Sequence, residues 1–216
     1  MIIGITGLIG SGKGTVADIL VEQHNFTKIS FADKLKDGVA ASFGWNRELL
    51  EGDTDESRKW RETPDAFWTK ETGKEVTPRL VLQKFGTDCM RNGFFDGIWV
   101  SLVKQEILNN PETNYVVPDV RFKNEIDVIN DMGGKIWNVR RGELPEWWET
   151  AVTTNATPDD KEWIIYDEGN HMEVAYPDIH VSEWAWIDKD ETFGNILHND
   201  DSIESLYSQV STTLST

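Results

Sequence analysis

Apolar positions in the 216 residues first cluster in a short β-branched run, MIIGIT, which stops at Gly7 and predicts a strand. After a glycine-rich gap, GTVADILVEQH places Val16, Ile19, Leu20 and Val21 at helical spacing. The alternation then repeats. TKISF predicts a strand, residues 32–42 a helix, NYVVPDV a strand, residues 124–132 a helix closed by Gly133 and Gly134, and KIWNVRR a further strand. A helical middle intervenes, in which Thr77 and Pro78 suit the N-cap and first residue of a helix through RLVLQKFGTDCM, followed by FFDGIWVSLVKQEILNN with one apolar face. The chain closes with TFGNILHND as a last strand and SIESLYSQVSTTL as a helix capped by Ser202, with Glu204 in its first turn. Residues 45–76 and 142–177 show no clear period and are expected as loops or mobile insertions, the first on the substrate side and the second an acidic lid. Alternating strands and helices predict an α/β fold with a central parallel sheet and helices on both faces, in one domain over residues 1–216.

Charge narrows the ligand. Of 38 acidic and 21 basic residues, the stretch from Gly142 onward holds 17 and 2, so the first two thirds are nearly neutral. A net charge of −17 argues against a nucleic-acid polymer as partner, because that affinity comes largely from Lys and Arg displacing counterions. Cationic partners for a small anion are expected before residue 142. A single cysteine, Cys89, excludes an intramolecular disulfide, no secretory pattern precedes the first strand, and no apolar run is long enough to span a membrane. A cytoplasmic protein without a membrane partner is the expectation.

The gap between first strand and first helix carries the chemistry. GLIGSGK, from Gly7 to Lys13, matches the front of G-x-x-x-x-G-K-[ST] between a predicted strand and helix. Its glycines allow successive N–H groups to face phosphate oxygens, the helix offers its positive end, and Lys13 reaches the β- and γ-phosphates. The bland alternative is a glycine-rich turn with an exposed lysine. Gly14 stands where Ser or Thr is usual, and the hydroxyl follows at Thr15. In this form the loop resembles nucleoside monophosphate kinases of the adenylate kinase type, in which Mg²⁺ is held by phosphates and water rather than by direct protein ligands.

Beyond the loop, RLVLQKFGTDCMRNGFFDGIWV and NYVVPDVRFKNEIDVINDMGGKIWNVRRG, with the late elements DIHVSEWAW and ILHNDDSIESL, resemble the deoxynucleoside monophosphate kinases of tailed bacteriophages. The resemblance implies a P-loop kinase fold, transfer of the ATP γ-phosphoryl to a deoxynucleoside monophosphate with Mg²⁺, and a role in deoxynucleotide supply for phage DNA replication in an infected bacterium. A homodimer is compatible with it. It further implies ATP contacts at Gly10, Ser11, Gly12, Lys13, Gly14 and Thr15, and a lid clamp at Arg140 or Arg141, two arginines that otherwise balance the acids after them. On the acceptor side it implies Lys36, Arg58, Arg79, Gly86, Thr87, Trp99, Asp119, Arg121 and Glu125, with Lys13, Arg121 and Arg79 meeting charge on the moving phosphoryl group. Several have plainer readings: Lys36 a solvated helix lysine, Gly86 a helix C-cap, Trp99 a core ring, Asp119 a helix N-cap, and Glu125 an ion pair with Arg121.

Three other functions fit the cradle alone. They are dephospho-coenzyme A kinase or another small-metabolite kinase, a nucleotide-dependent switch, and a binding module without turnover.

Overall fold

The computed structural model describes residues 1–156, 171–187 and 193–215. They group into two compact units, one of residues 1–29 and 110–216, the other of residues 30–109.

The first unit is built on a parallel sheet of β1 (Ile2–Thr6), β2 (Phe26–Lys28), β3 (Asn114–Val117), β4 (Lys135–Arg140) and β5 (Asn195–His198), in the order β2-β3-β1-β4-β5. β1 is buried along its whole length, as a strand covered on both faces must be. Ile3 and Ile5 join Trp137, Val139 and Leu197 in a core with Val16, Ile19 and Leu20 of α1 (Lys13–His24) and with Leu206 and Val210 of α10 (Ile203–Leu214). On the other face α7 (Lys123–Asp131) lies so close that a Cβ on Gly4 would stand 2.6 Å from Ile129 Cδ1. The α/β sandwich expected from the alternating pattern is thus present.

Several boundaries move, each for a local reason. β2 is earlier than TKISF because Ser30 already turns: its N–H donates to Asp33 Oδ2 (2.7 Å) and its Oγ accepts from the Ala32 N–H (3.0 Å). β3 stops at Val117 because Pro118 has no N–H for the ladder. Val21 falls off the buried stripe of α1 and is exposed.

Part of the expected acidic lid is packed. Within α8 (Trp148–Ala156), Trp148, Ala151 and Thr154 are buried, and Met172 opens the short α9 (Met172–Ala175) fully buried, its N–H donating to Thr154 Oγ1 (2.9 Å). The rest of that expectation, residues 157–170, lies outside the described residues.

The second unit is helical. Residues 45–76, expected as loops, instead carry a 3₁₀ turn (Glu48–Leu50), α3 (Asp55–Glu62) and α4 (Ala66–Thr72). Caps make these short helices possible: Thr54 and Ser57 form a reciprocal capping box, Asp65 accepts from the Trp68 N–H, and Gly73 closes α4 at φ 68°. Aromatic packing holds them, with Phe43 stacked on Trp45 (4.6 Å) and Trp60 edge-on to Trp45 (5.7 Å). These rings border a small core of Val39, Leu50 and Leu82 on α2 (Asp33–Phe43), the 3₁₀ turn and α5 (Pro78–Gln83). The expected Thr77 cap and Pro78 start of α5 are present. The chain then widens into a π-helix over Lys84–Asn92, and α6 (Ile98–Asn109) begins only after the exposed Phe94 and Phe95.

Candidate active site

The candidate residues of the first unit lie at or beyond the carboxyl ends of the strands. β2 and β3 stand to one side of β1, and β4 and β5 to the other, so the chain changes direction at β1. Open α/β sheets bind ligands in the crevice at such a reversal. Gly7 follows β1, Asp119 and Arg121 follow β3, Arg141 follows β4 and Asn199 follows β5.

The loop after β1 is bent by backbone conformations that side chains rarely tolerate. Gly7, Gly10 and Gly12 have φ of 144°, 78° and 102°. A Cβ on Gly7 would stand 2.4 Å from Val139 O, whereas one on Gly10 or Gly14 would meet nothing within 4 Å. The loop is therefore tight against the sheet beneath and open above. Ser11 Oγ is buried with no hydrogen-bond partner among the described residues. An orphan hydroxyl under an open glycine loop fits an anion that would accept from it.

Lys13, first residue of α1, curls back over this loop, where its ammonium donates to Gly7 O (2.6 Å) and Leu8 O (2.8 Å). A cleft of about 280 Å³ opens beside it, lined by the glycine loop, Lys13, Thr15, Arg121, Ser182 and Glu183. Arg121 Nη1 donates to Ser182 Oγ (3.3 Å) and pairs with Glu183 Oε1 (3.3 Å). Burial pushes the Lys13 ammonium down to about 8, the positive charge of Arg121 deepens the drop, and the Glu183 carboxylate opposes it. Among the described residues two cations thus share one cleft with a single carboxylate on its lining, an arrangement that phosphate groups would neutralise.

A pH dependence follows. Below pH 8 Lys13 already carries its proton, so triphosphate affinity should be flat. Above pH 8 the free protein loses that proton while a bound polyphosphate would retain it, so affinity should fall, by up to about tenfold per pH unit. Calorimetric titration with a non-hydrolysable ATP analogue from pH 7 to 9.5 checks this. Constant affinity across that range would contradict it.

The remaining sequence-predicted residues of this unit are tied into the same strand ends. Glu125 is buried, and its Oε2 accepts from the backbone N–H groups of Arg121 (2.7 Å) and Phe122 (3.1 Å). It therefore caps α7 and fixes the turn that carries Arg121, rather than pairing with the Arg121 guanidinium as the helix spacing suggested. Asp119 is half-buried in that turn. Arg140 donates from Nε to Asn138 Oδ1 (3.0 Å) and lies 5.5 Å from the Trp148 ring centroid, a cation–π contact. Its neighbour Arg141 lines a separate small pocket with Leu8, Trp148 and Trp186.

Lys36, Arg58, Arg79, Gly86, Thr87 and Trp99 belong to the second unit. Lys36 is largely buried and pairs with Glu51 Oε2 (2.5 Å), so it is not the freely solvated helix lysine of the plainer reading. Burial pushes Glu51 up, yet hydrogen bonds from Lys36 and Arg47 outweigh this and hold it below its ordinary value. Arg79 pairs with Glu62 (2.6 Å) and Arg58 with Asp55 (3.1 Å), both exposed. Gly86 lies inside the π-helix instead of ending a helix, and is buried where a Cβ would meet Leu35 Cδ2 at 2.9 Å. Thr87 is exposed on the same turn. Trp99 is 6% exposed and its indole N–H donates to Gly86 O (3.2 Å), which leaves little ring face open to stacking.

Ser182, Glu183 and Asn199 are the residues that pattern reasoning did not select. The first two sit in a 3₁₀ turn (Val181–Glu183), and Asn199 Nδ2 donates to Ser11 O (2.9 Å). Their only signal was membership of the late elements SEWAW and HNDD.

The family described as deoxynucleotide monophosphate kinase matches residues 58–179. A protein of Acanthamoeba polyphaga mimivirus provisionally named a deoxynucleotide monophosphate kinase is 34% identical over 153 residues, covering 65% of this chain and 74% of that protein. The deoxynucleotide monophosphate kinase of Enterobacteria phage T4 is 24% identical over 230 residues, covering 80% and 95%. Among solved structures, the dephospho-CoA kinase from Campylobacter jejuni aligns at 14% identity with a TM-score of 0.40, covering 99% of this chain and 95% of that one.

Proposed function

Because the chain belongs to the deoxynucleotide monophosphate kinase family, we propose that it transfers the γ-phosphoryl group of ATP to a deoxynucleoside 5′-monophosphate. An oxygen of the acceptor phosphate forms the new bond to the γ-phosphorus, the bond to the bridging oxygen breaks, and ADP leaves with that electron pair. The observation that carries the reading is the cleft beside the glycine loop, which holds Lys13 and Arg121 together.

Little covalent chemistry is asked of the protein, so its contribution is positioning and charge. The N–H groups from Gly10 to Thr15 hold the phosphate chain. Lys13 exchanges the carbonyls of Gly7 and Leu8 for phosphate oxygens of ATP, and the fork of Arg121 leaves Ser182 and Glu183 for the acceptor phosphate. Asp119 and Glu125 orient Arg121, and neither is needed as a strong base. Mg²⁺, when bound, would supply positive charge that offsets the phosphate charge. Thr15 and Glu183, oxygen donors on the cleft lining, would hold its retained waters rather than ligate it directly. The acceptor-side roles of Lys36, Arg58, Arg79, Gly86, Thr87 and Trp99, and the ATP-side role of Arg140, rest on the resemblance to phage kinases.

Incubation with ATP, Mg²⁺ and each of dAMP, dGMP, dCMP and dTMP should yield the diphosphate from at least one. Dephospho-coenzyme A should remain unphosphorylated in parallel. Phosphorylation of dephospho-coenzyme A alone would overturn the assignment.

A further inference from the structure

We propose that Asn199 is a positioning residue that aims the phosphate cradle by holding one peptide group of the glycine loop in a fixed orientation. The inference rests on the cleft being the triphosphate site, and adds a residue 188 positions away from the loop it acts on.

Asn199 itself is held by its backbone. Its N–H donates to Arg140 O (2.8 Å), continuing the β4–β5 ladder one residue past the strand. On one side Gln209 of α10 brackets His198, accepting from its N–H (2.9 Å) and donating to its carbonyl (2.8 Å). On the other, Asp200 Oδ1 accepts from the Gly142 N–H (2.6 Å). A short polar side chain on so constrained a backbone has little freedom, and it donates from Nδ2 to Ser11 O at 2.9 Å.

The consequence follows from peptide geometry. In a trans peptide the carbonyl of Ser11 and the N–H of Gly12 belong to one plane and point in opposite directions. Fixing the carbonyl toward Asn199 therefore aims the Gly12 N–H away from Asn199. Gly12 lines the cleft and Asn199 does not. Without the anchor, nothing described on that side selects this orientation over the flipped one, which would turn a carbonyl dipole toward the phosphates. The identity of residue 12 agrees: a Cβ there would lie 2.3 Å from Asn199 Nδ2, so the contact as it stands requires glycine at position 12.

Asn199→Ala removes the donor, and Asn199→Asp keeps the shape but presents an acceptor to an acceptor. In both, affinity for a non-hydrolysable ATP analogue should fall about tenfold, while the acceptor KM and the unfolding temperature stay near those of the unsubstituted protein. The Gly12 backbone amide resonance, followed by ¹⁵N NMR, should shift strongly downfield when the analogue binds the unsubstituted protein and weakly in Asn199→Asp. Unchanged ATP affinity in Asn199→Ala would overturn the proposal, as would ATP and acceptor constants that move together with a lowered unfolding temperature. If the unsubstituted protein fails to bind the analogue, the triphosphate reading of the cleft fails instead.

Discussion

Replacing Lys13 by alanine is expected to lower kcat/KM for phosphoryl transfer by about 100- to 1,000-fold, the range seen when one preorganised charge-stabilising donor is removed from a site of this kind. The loss should fall mainly on kcat, because the ammonium meets charge that grows as the phosphoryl group moves. Folding should survive. Burial disfavours the charged form of Lys13, with Arg121 adding to the cost, so alanine relieves an electrostatic strain even as Gly7 O and Leu8 O lose a donor. Steady-state kinetics beside a thermal melt separates these effects. A variant that melts as the unsubstituted protein does and retains more than a tenth of its activity would remove Lys13 from the chemistry.

Arg121→Ala is expected to raise the acceptor KM by about 10- to 100-fold while leaving ATP-analogue affinity within a few-fold, consistent with loss of a bidentate phosphate contact. Arg121→Lys should restore charge without the planar fork, and so recover only part of the loss. The substitution has a second signature. The positive charge of Arg121 helps to hold Lys13 down near 8, and Glu183 opposes it. Removing the guanidinium should move the alkaline fall in ATP affinity to higher pH. Loss of ATP affinity with an unchanged acceptor KM would reassign Arg121 to the donor side.

How much of this could be read from the sequence depended on the distance over which each feature is encoded. The glycine loop between β1 and α1 was legible, because Gly7, Gly10, Gly12 and Lys13 are spaced by the local geometry of one strand-to-helix turn. The parallel sheet was legible too, since strands buried on both faces read as apolar runs. Helices α3 and α4 were not. Each is about two turns long, neither carries a broad apolar stripe, and what stabilises them is a pair of caps and a set of aromatic contacts spread from Phe43 to Trp68. The π-helix hid for a related reason, because its widened register leaves no mark in a pattern read at 3.6 residues per turn.

The site shows the same division. Ser182 and Glu183 meet Arg121 from 61 and 62 residues away, and Asn199 meets Ser11 from 188. No spacing rule spans such separations. They come together because β1, β3, β4 and β5 are parallel and all end at one edge of the sheet, so topology gathers what sequence scatters. Glu125 illustrates the converse: its spacing from Arg121 suggested a side-chain ion pair, whereas the turn before α7 delivers backbone N–H groups to its carboxylate.

Direct transfer of a phosphoryl group between two nucleotides can be followed by label from [γ-³²P]ATP. In the presence of a deoxynucleoside monophosphate and Mg²⁺, the label should appear in the deoxynucleoside diphosphate in amounts equal to the ADP formed, and this should vanish with Lys13→Ala. Label released as inorganic phosphate, or ATP left intact with all four acceptors, would contradict it.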